Sequence, residues 1–222
     1  MSSIATSFPA PPPGGDDALS LLPRTPIREY RKGEIIYRPE DLAESLYLVV
    51  DGRVKISRLP EGRREVVLAF LEKEDFFGEA GFGGGRCGEQ AEAIEKTALM
   101  QWPIAEIRRL MARSPALASA LLRVLALKLE ESHARIESLC LDPIHRRLAK
   151  SLLEMARRAC RPAGGVWHAP PTTHEQLARY VGTSREIITQ SMNQFRRLRL
   201  LQYSRKGLEV DLAALERHLK NL

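Results

Sequence analysis

Thr173-His174-Glu175-Gln176-Leu177-Ala178-Arg179-Tyr180-Val181-Gly182-Thr183-Ser184-Arg185-Glu186-Ile187-Ile188-Thr189-Gln190 is the stretch whose reading decides the fold of this chain. Thr173 with Gln176 spells one capping box and Thr183 with Glu186 a second, so two helix starts lie ten residues apart. Leu177, Ala178 and Val181 give the first helix an apolar stripe, and Gly182 stands where a left-handed C-cap is required. In the second helix Ile188, Met192 and Phe195 recur at i, i+4, i+7 and define a buried face. Arg185, Glu186, Thr189, Gln190 and Asn193 lie opposite, and each carries a hydrogen-bonding edge suited to base pairs. The pattern predicts a helix-turn-helix whose second helix enters DNA.

Charge supports that reading. Residues 142–222 hold 15 Lys and Arg against 7 Asp and Glu, a net of +8, while residues 1–141 hold 19 against 21, a net of −2. The positive charge accompanies the motif, as phosphate binding requires. At 222 residues the chain can build two cores, and 44% hydrophobic with 28% charged residues describes an ordinary soluble protein. No apolar run nears the roughly 20 residues of a membrane helix, so no membrane partner is expected. Residues 1–23 carry Pro9, Pro11, Pro12, Pro13, Pro23 and Gly14-Gly15 and read as a disordered leader rather than a secretion signal. Cys87, Cys140 and Cys160 show no CxxC spacing and are expected as buried free thiols in a bacterial cytoplasm.

Residues 24–113 read as short strands closed by turns. Leu46-Tyr47-Leu48-Val49-Val50, Asp51-Gly52 and Arg53-Val54-Lys55-Ile56 predict a hairpin with a type I′ turn. A turn near Pro60-Glu61-Gly62 leads to the strand Glu65–Phe70, and the density of short strands suggests a β-barrel or jelly roll. Ile104, Ile107, Leu110 and Met111 then mark one face of a helix. From 114 to 141, Ala118, Leu122, Leu125, Leu129, Ser132, Ile136 and Leu139 are spaced 4, 3, 4, 3, 4, 3, a seam of about three heptads. A helix of about 35 Å is long for the core of one small domain, so the seam predicts a dimer interface.

Leu141-Asp142-Pro143 marks a hinge, and residues 142–222 form the third section. It comprises a helix to about Arg161, a Pro/Gly-rich connection through Pro171 and the helix-turn-helix. A strand pair follows around Arg205-Lys206, basic residues placed to meet phosphates, and then a last helix from Asp211. The expected class is α+β: an N-terminal jelly-roll β-barrel, a long dimerisation helix and a C-terminal winged helix-turn-helix domain.

This order resembles the CRP/FNR superfamily of bacterial transcription regulators across roughly residues 24–215. The carrying residues are Asp75-Phe76-Phe77-Gly78-Glu79, Lys96-Thr97-Ala98 and Val181-Gly182-Thr183-Ser184-Arg185-Glu186. The resemblance implies a cyclic-nucleotide-binding-type roll, a homodimer, RNA polymerase as a partner and a near-palindromic double-stranded DNA site. It makes Arg185, for guanine, and Glu186, for cytosine, the leading base readers. Gln190 stands where catabolite-activator members of the family carry a second guanine-reading arginine. Thr173, Ser184, Thr189, Arg205 and Lys206 complete the expected DNA-binding set.

In members that bind cyclic AMP, a Gly-Glu pair is followed by Arg-Ser or Arg-Thr, the arginine pairing with the cyclic phosphate. Gly78-Glu79 is present, but an ungapped count places Glu89 and Gln90 at the Arg-Ser positions. A slipped register would use Arg86-Cys87, and Ser132 and His133 occupy the helix positions that would touch the base. Cyclic AMP is therefore not the expected effector, the effector is open, and no resident cofactor or metal is expected. The histidines are His133, His145, His168, His174 and His218, so residues 1–132 offer no histidine for haem or for a cupin-type metal. No GK[ST] loop, zinc-protease motif or G-x-S-x-G elbow is present, which argues against an enzyme. The alternative reading is a ligand-binding regulatory module that controls a partner enzyme without binding DNA.

Overall fold

The computed structural model describes residues 18–158, 167–169, 171–204 and 207–220 of the chain. Its N-terminal part is a β-roll of two antiparallel sheets. Strands β1 (Arg28–Tyr30), β2 (Ile35–Tyr37), β3 (Ser45–Asp51), β4 (Val54–Arg58), β5 (Val66–Leu71), β6 (Phe76–Phe77), β7 (Gln90–Ala93) and β8 (Thr97–Pro103) are shared between them. One sheet runs β1-β8-β3-β6 and the other β2-β7-β4-β5, so the chain crosses repeatedly between layers. Tyr30, Tyr37, Val49, Val54, Phe77, Ala91, Ala93 and Leu99 are packed together in one core.

The hairpin expected at Asp51-Gly52 does not form, because β3 and β4 belong to different sheets. Gly52 has φ 84°, and a Cβ there would sit 2.4 Å from the Lys96 carbonyl oxygen. The glycine therefore serves a crossing between layers, where both the positive φ and the close approach exclude a side chain. The turn at Pro60-Glu61-Gly62 does join a hairpin, β4 to β5.

Helices follow: α2 (Ile104–Arg113), α3 (Pro115–Leu141) and α4 (Ile144–Arg158). The Ser114 hydroxyl caps α3, with Pro115 in its first turn, and Asp142 closes it. A helix α1 (Ala18–Leu21) also precedes the roll and packs on α3 with Ala18 and Leu22 buried. The Trp102 indole N–H donates to the Pro23 carbonyl at 2.7 Å. The end of the expected disordered leader is therefore an ordered part of the core, held by apolar residues that its proline content obscured. Residues 1–17 and Cys160 lie outside the described residues.

The C-terminal unit contains β9 (Trp167–Ala169), α5 (His174–Val181), α6 (Arg185–Arg197), β10 (Leu201–Ser204), β11 (Gly207–Val210) and α7 (Leu212–Lys220). The strand order is β10-β11-β9. Strand β9 falls in what reads from sequence as an irregular connection; three residues are too few to show a period. Leu148, Leu152, Leu177, Ile188, Met192, Phe195 and Val210 fill this core, and Val67 and Phe70 of the β5 strand join it. At roughly 1.5–3 kcal/mol per fully buried large side chain, this shared core couples the roll to the winged helix. Of the cysteines, Cys87 is buried, but Cys140 is exposed on α3, contrary to expectation.

Candidate nucleic-acid interface and effector pocket

The geometry of the interface starts at the caps of the two helices. Thr173 and Gln176 close the expected capping box on α5, and Gly182 ends it in the left-handed region at φ 78°. The second expected box is displaced by one residue. Ser184, not Thr183, caps α6, accepting from the Ile187 N–H at 3.4 Å. Thr183 instead continues the α5 terminus, its N–H bonded to the Ala178 carbonyl at 3.0 Å. Ser184 and the positive groups of Arg64 and Arg185 hold the exposed Glu186 carboxyl below its ordinary pKa, the Ser184 bond first among the causes.

Ile188, Met192 and Phe195 are each at most 1% exposed and fix the rotation of α6. That rotation leaves Arg185, Glu186 and Gln190 open to solvent, with Thr189 and Asn193 half-buried beside them. Thr189 departs from its expected role of reading bases. Its hydroxyl donates to the Arg185 carbonyl at 2.8 Å and lies 2.9 Å from the His174 Nδ1. His174 Nε2 is 2.6 Å from the Tyr203 hydroxyl of β10. Because the Thr189 proton is already used, Nδ1–H donates to Thr189 and Nε2 accepts from Tyr203, the neutral tautomer. Burial, with Arg185 adding to it, lowers the His174 pKa and favours the same form. One side chain thereby ties α5, the recognition helix and the wing together. Sequence inspection missed this because the three partners are far apart in the chain. Arg205 and Lys206 lie outside the described residues.

The roll interior is built differently. Gly78 has φ 89°, and a Cβ there would meet the Ser45 carbonyl oxygen at 2.4 Å. Glu79 does not stand free: its Oε1 pairs with Lys128 Nζ of α3 at 2.8 Å. Glu89 Oε2 lies 3.5 Å from Arg58 Nη2, across Gly88. The slipped-register arginine is not aimed inward. Arg86 is exposed and donates to the Glu40 carbonyl at 2.5 Å, because the Leu42–Arg86 bridge anchors its backbone at the rim. Gln90 is half-buried on β7, opposite Ser57. Ser132 and His133 are exposed on α3, and the Ser132 hydroxyl donates to the Lys128 carbonyl of its own helix at 2.8 Å. Tyr37, Tyr47 and Phe77 occupy the interior, with Tyr47 stacked on Phe77 at 4.9 Å. Burial, then the Glu89 and Glu79 carboxylates, push the Tyr37 phenol well above its ordinary pKa.

Four arginines join the sections. Arg135 of α3 donates to the Leu68, Val67 and Tyr180 carbonyls and lies over the Tyr180 ring at 4.2 Å. Arg158 pairs with Glu131 at 2.8 Å and Asp75 at 3.3 Å. Arg179 of α5 pairs with Glu65 of the roll hairpin, and Arg53 of the roll reaches Pro171 and Thr172. None of these was legible in sequence, since each pairs residues remote in the chain. Along α3, Leu122, Leu129, Ser132, Ile136 and Leu139 are exposed, and Ala118 and Leu125 are half-buried. No helix among the described residues is long and apolar enough to cross a membrane.

Comparison with known proteins accords with these features. Residues 27–114 match a profile described as a cyclic nucleotide-binding domain, and residues 146–218 match a Crp-like helix-turn-helix domain. The cyclic AMP receptor protein of Thermus thermophilus is 30% identical over 201 residues, covering 90% of this chain and 89% of its own length. The CRP-like cAMP-activated global transcriptional regulator of Mycobacterium tuberculosis is 28% identical over 169 residues, 75% of each chain. The structure of FixK2 from Bradyrhizobium japonicum superposes with a TM-score of 0.79 at 26% identity, covering 86% of this chain and 96% of that one.

Proposed function

The chain belongs to the CRP/FNR family of transcription regulators, and from that premise we propose that it acts as a homodimer reading a near-palindromic DNA site without cyclic AMP as its activator. The observation that carries the reading is the recognition helix: Arg185, Glu186 and Gln190 face solvent while Ile188, Met192 and Phe195 lock the opposite side. A bidentate Arg185–guanine contact and a Glu186–cytosine contact each discriminate by about 1–3 kcal/mol. Thr173 and Ser184 stand at the helix starts, where backbone N–H groups suit phosphate oxygens, and Arg205 and Lys206 supply wing contacts. Thr189 positions the helix through His174.

The apolar stripe of Leu122, Leu129 and Ile136 supports dimerisation, since each is more than half exposed in the single chain. A two-fold axis along α3 would set two recognition helices one DNA turn apart, about 34–36 Å. RNA polymerase is the partner that family membership supports. Against cyclic AMP stands the charge of the roll. A phosphate at the usual place would meet Glu89, a like charge worth about 4 kcal/mol of repulsion at 4 Å and an effective dielectric of about 20. Arg58 partly offsets it, and the Glu79 partner is already Lys128. The residues present do not fit that ligand.

The test is selection of bound DNA from a random pool by the purified chain with no small molecule added. Enrichment of a palindrome with one-turn half-site spacing is expected. Weak, salt-sensitive binding without enrichment would mean that an activator is required, and absence of DNA binding would overturn the regulator reading.

A further inference from the structure

A second cavity lies outside both regions. It has a volume of about 390 Å³ and sits between the roll and the winged helix, within the range of small-molecule sites. Its roll wall carries Lys32, Arg53 and Ile94; its winged-helix wall carries Thr172, Gln176 and Leu208. Arg53 is only 4% exposed, yet its hydrogen-bonding capacity is largely unused. Nε meets Glu72 as an ion pair at 3.3 Å, and Nη1 reaches the Pro171 carbonyl and the Thr172 hydroxyl only at 3.4 and 3.5 Å. Among the described residues Nη2 has no hydrogen-bond partner. The guanidinium also lies over the Phe70 ring at 5.3 Å, which holds its plane. A buried guanidinium edge left unpaired is costly, and its fork geometry matches a carboxylate.

We infer that this interdomain cavity binds a small organic carboxylate, its anionic end on the free edge of Arg53 and its hydrocarbon body against Ile94 and Leu208. Glu72 and Glu95 stand nearby, so the cavity has no large excess of positive charge. Recognition therefore rests on hydrogen-bond geometry at Nη2, with Lys32 at the rim contributing field. The ligand would bridge the two walls and favour the arrangement in which they are in contact. Tyr203 lines the same cavity and also holds His174, which holds Thr189 on the recognition helix. A ligand there is thus two side chains from the DNA-reading surface. The regulatory half of this inference rests on the proposed DNA binding; the binding half does not.

The test is titration calorimetry of the full chain with sodium benzoate as the probe, and with benzamide as its neutral counterpart. Benzoate is expected to bind with a Kd of about 1 mM or tighter, and benzamide at least about tenfold more weakly. Arg53→Lys keeps the charge but not the fork and is expected to weaken benzoate about tenfold. Lys32→Glu, at an exposed rim position, is expected to weaken it several-fold without disturbing the fold. Glu89→Gln, in the roll, should leave it unchanged. If Arg53→Lys fails to fold, Lys32→Glu decides. No heat with benzoate at about 10 mM, equal binding of benzamide, or indifference to both substitutions overturns the site. Failure of the DNA selection with benzoate binding intact would remove the proposed regulator and leave the site standing.

Discussion

The recognition helix and the roll interior both follow a family pattern, and they treat their polar groups in opposite ways. On α6, Arg185 and Gln190 extend into solvent, their hydrogen-bonding capacity available to an incoming base pair. In the roll, Glu79 is paired with Lys128, Glu89 faces Arg58 and Arg86 is bonded to Glu40. A surface can keep unpaired polar groups at little cost because water satisfies them; an enclosed site must satisfy them internally or lose stability. The difference teaches that binding potential is retained at the DNA face, whereas in the roll it has been consumed by the protein itself.

That contrast can be broken most forcefully at the seam. The double substitution Leu129→Glu with Ile136→Glu should yield a monomer by sedimentation and weaken binding to a two-half-site DNA by about 100-fold or more. A dimer that survives would mean the exposed stripe on α3 is not the interface. Next in size, Arg185→Ala should lose about 1–3 kcal/mol on the selected site and little on random DNA, measured by competition binding. Equal losses on both would reassign Arg185 to phosphate contact. Lys206→Ala should weaken all sequences alike and reduce the slope of log affinity against log salt by about 0.9.

A smaller effect belongs to His174. Its pKa is lowered in the folded chain, so the unfolded chain takes up the proton more readily. Stability is therefore full above the unfolded value of about 6.5 and declines as pH falls through the lowered folded value. Melting temperature followed across that range should show the decline in the native chain and a flatter profile in His174→Gln; identical profiles would remove His174 from its place between Thr189 and Tyr203. The sharpest contrast expects no effect at all. Cyclic AMP at about 1 mM should change DNA affinity less than twofold, and tenfold tightening would show that the roll still accepts the nucleotide.

How much of this was legible depended on the range of the interactions involved. The α5–turn–α6 segment announces itself through an apolar period, a cap and a glycine, all within one short run of sequence. Even there, the choice of Ser184 over Thr183 as the cap escaped inspection, because neighbouring hydroxyls offer the same local chemistry. The heptad spacing of α3 and the hairpin at Pro60-Glu61-Gly62 were legible for the same reason. Asp51-Gly52 misled because its local preference for a tight turn was overridden by packing between sheets. The absence of an arginine at position 89 could be read in the chain, but not that Arg58 faces the glutamate found there.

By itself, then, the sequence determined the helices, the winged-helix motif, the placement of positive charge and the departure from the cyclic-AMP pattern, since period, capping and composition act over a few residues. Only the tertiary structure decided which polar groups are satisfied. The His174 bridge, the shared core of Val67 and Phe70 with the winged helix, and the underused edge of Arg53 each depend on residues brought together from distant parts of the chain. Hydrogen bonds and ion pairs act over a few ångströms of space, and no local pattern in the chain specifies which remote groups folding will bring within that distance.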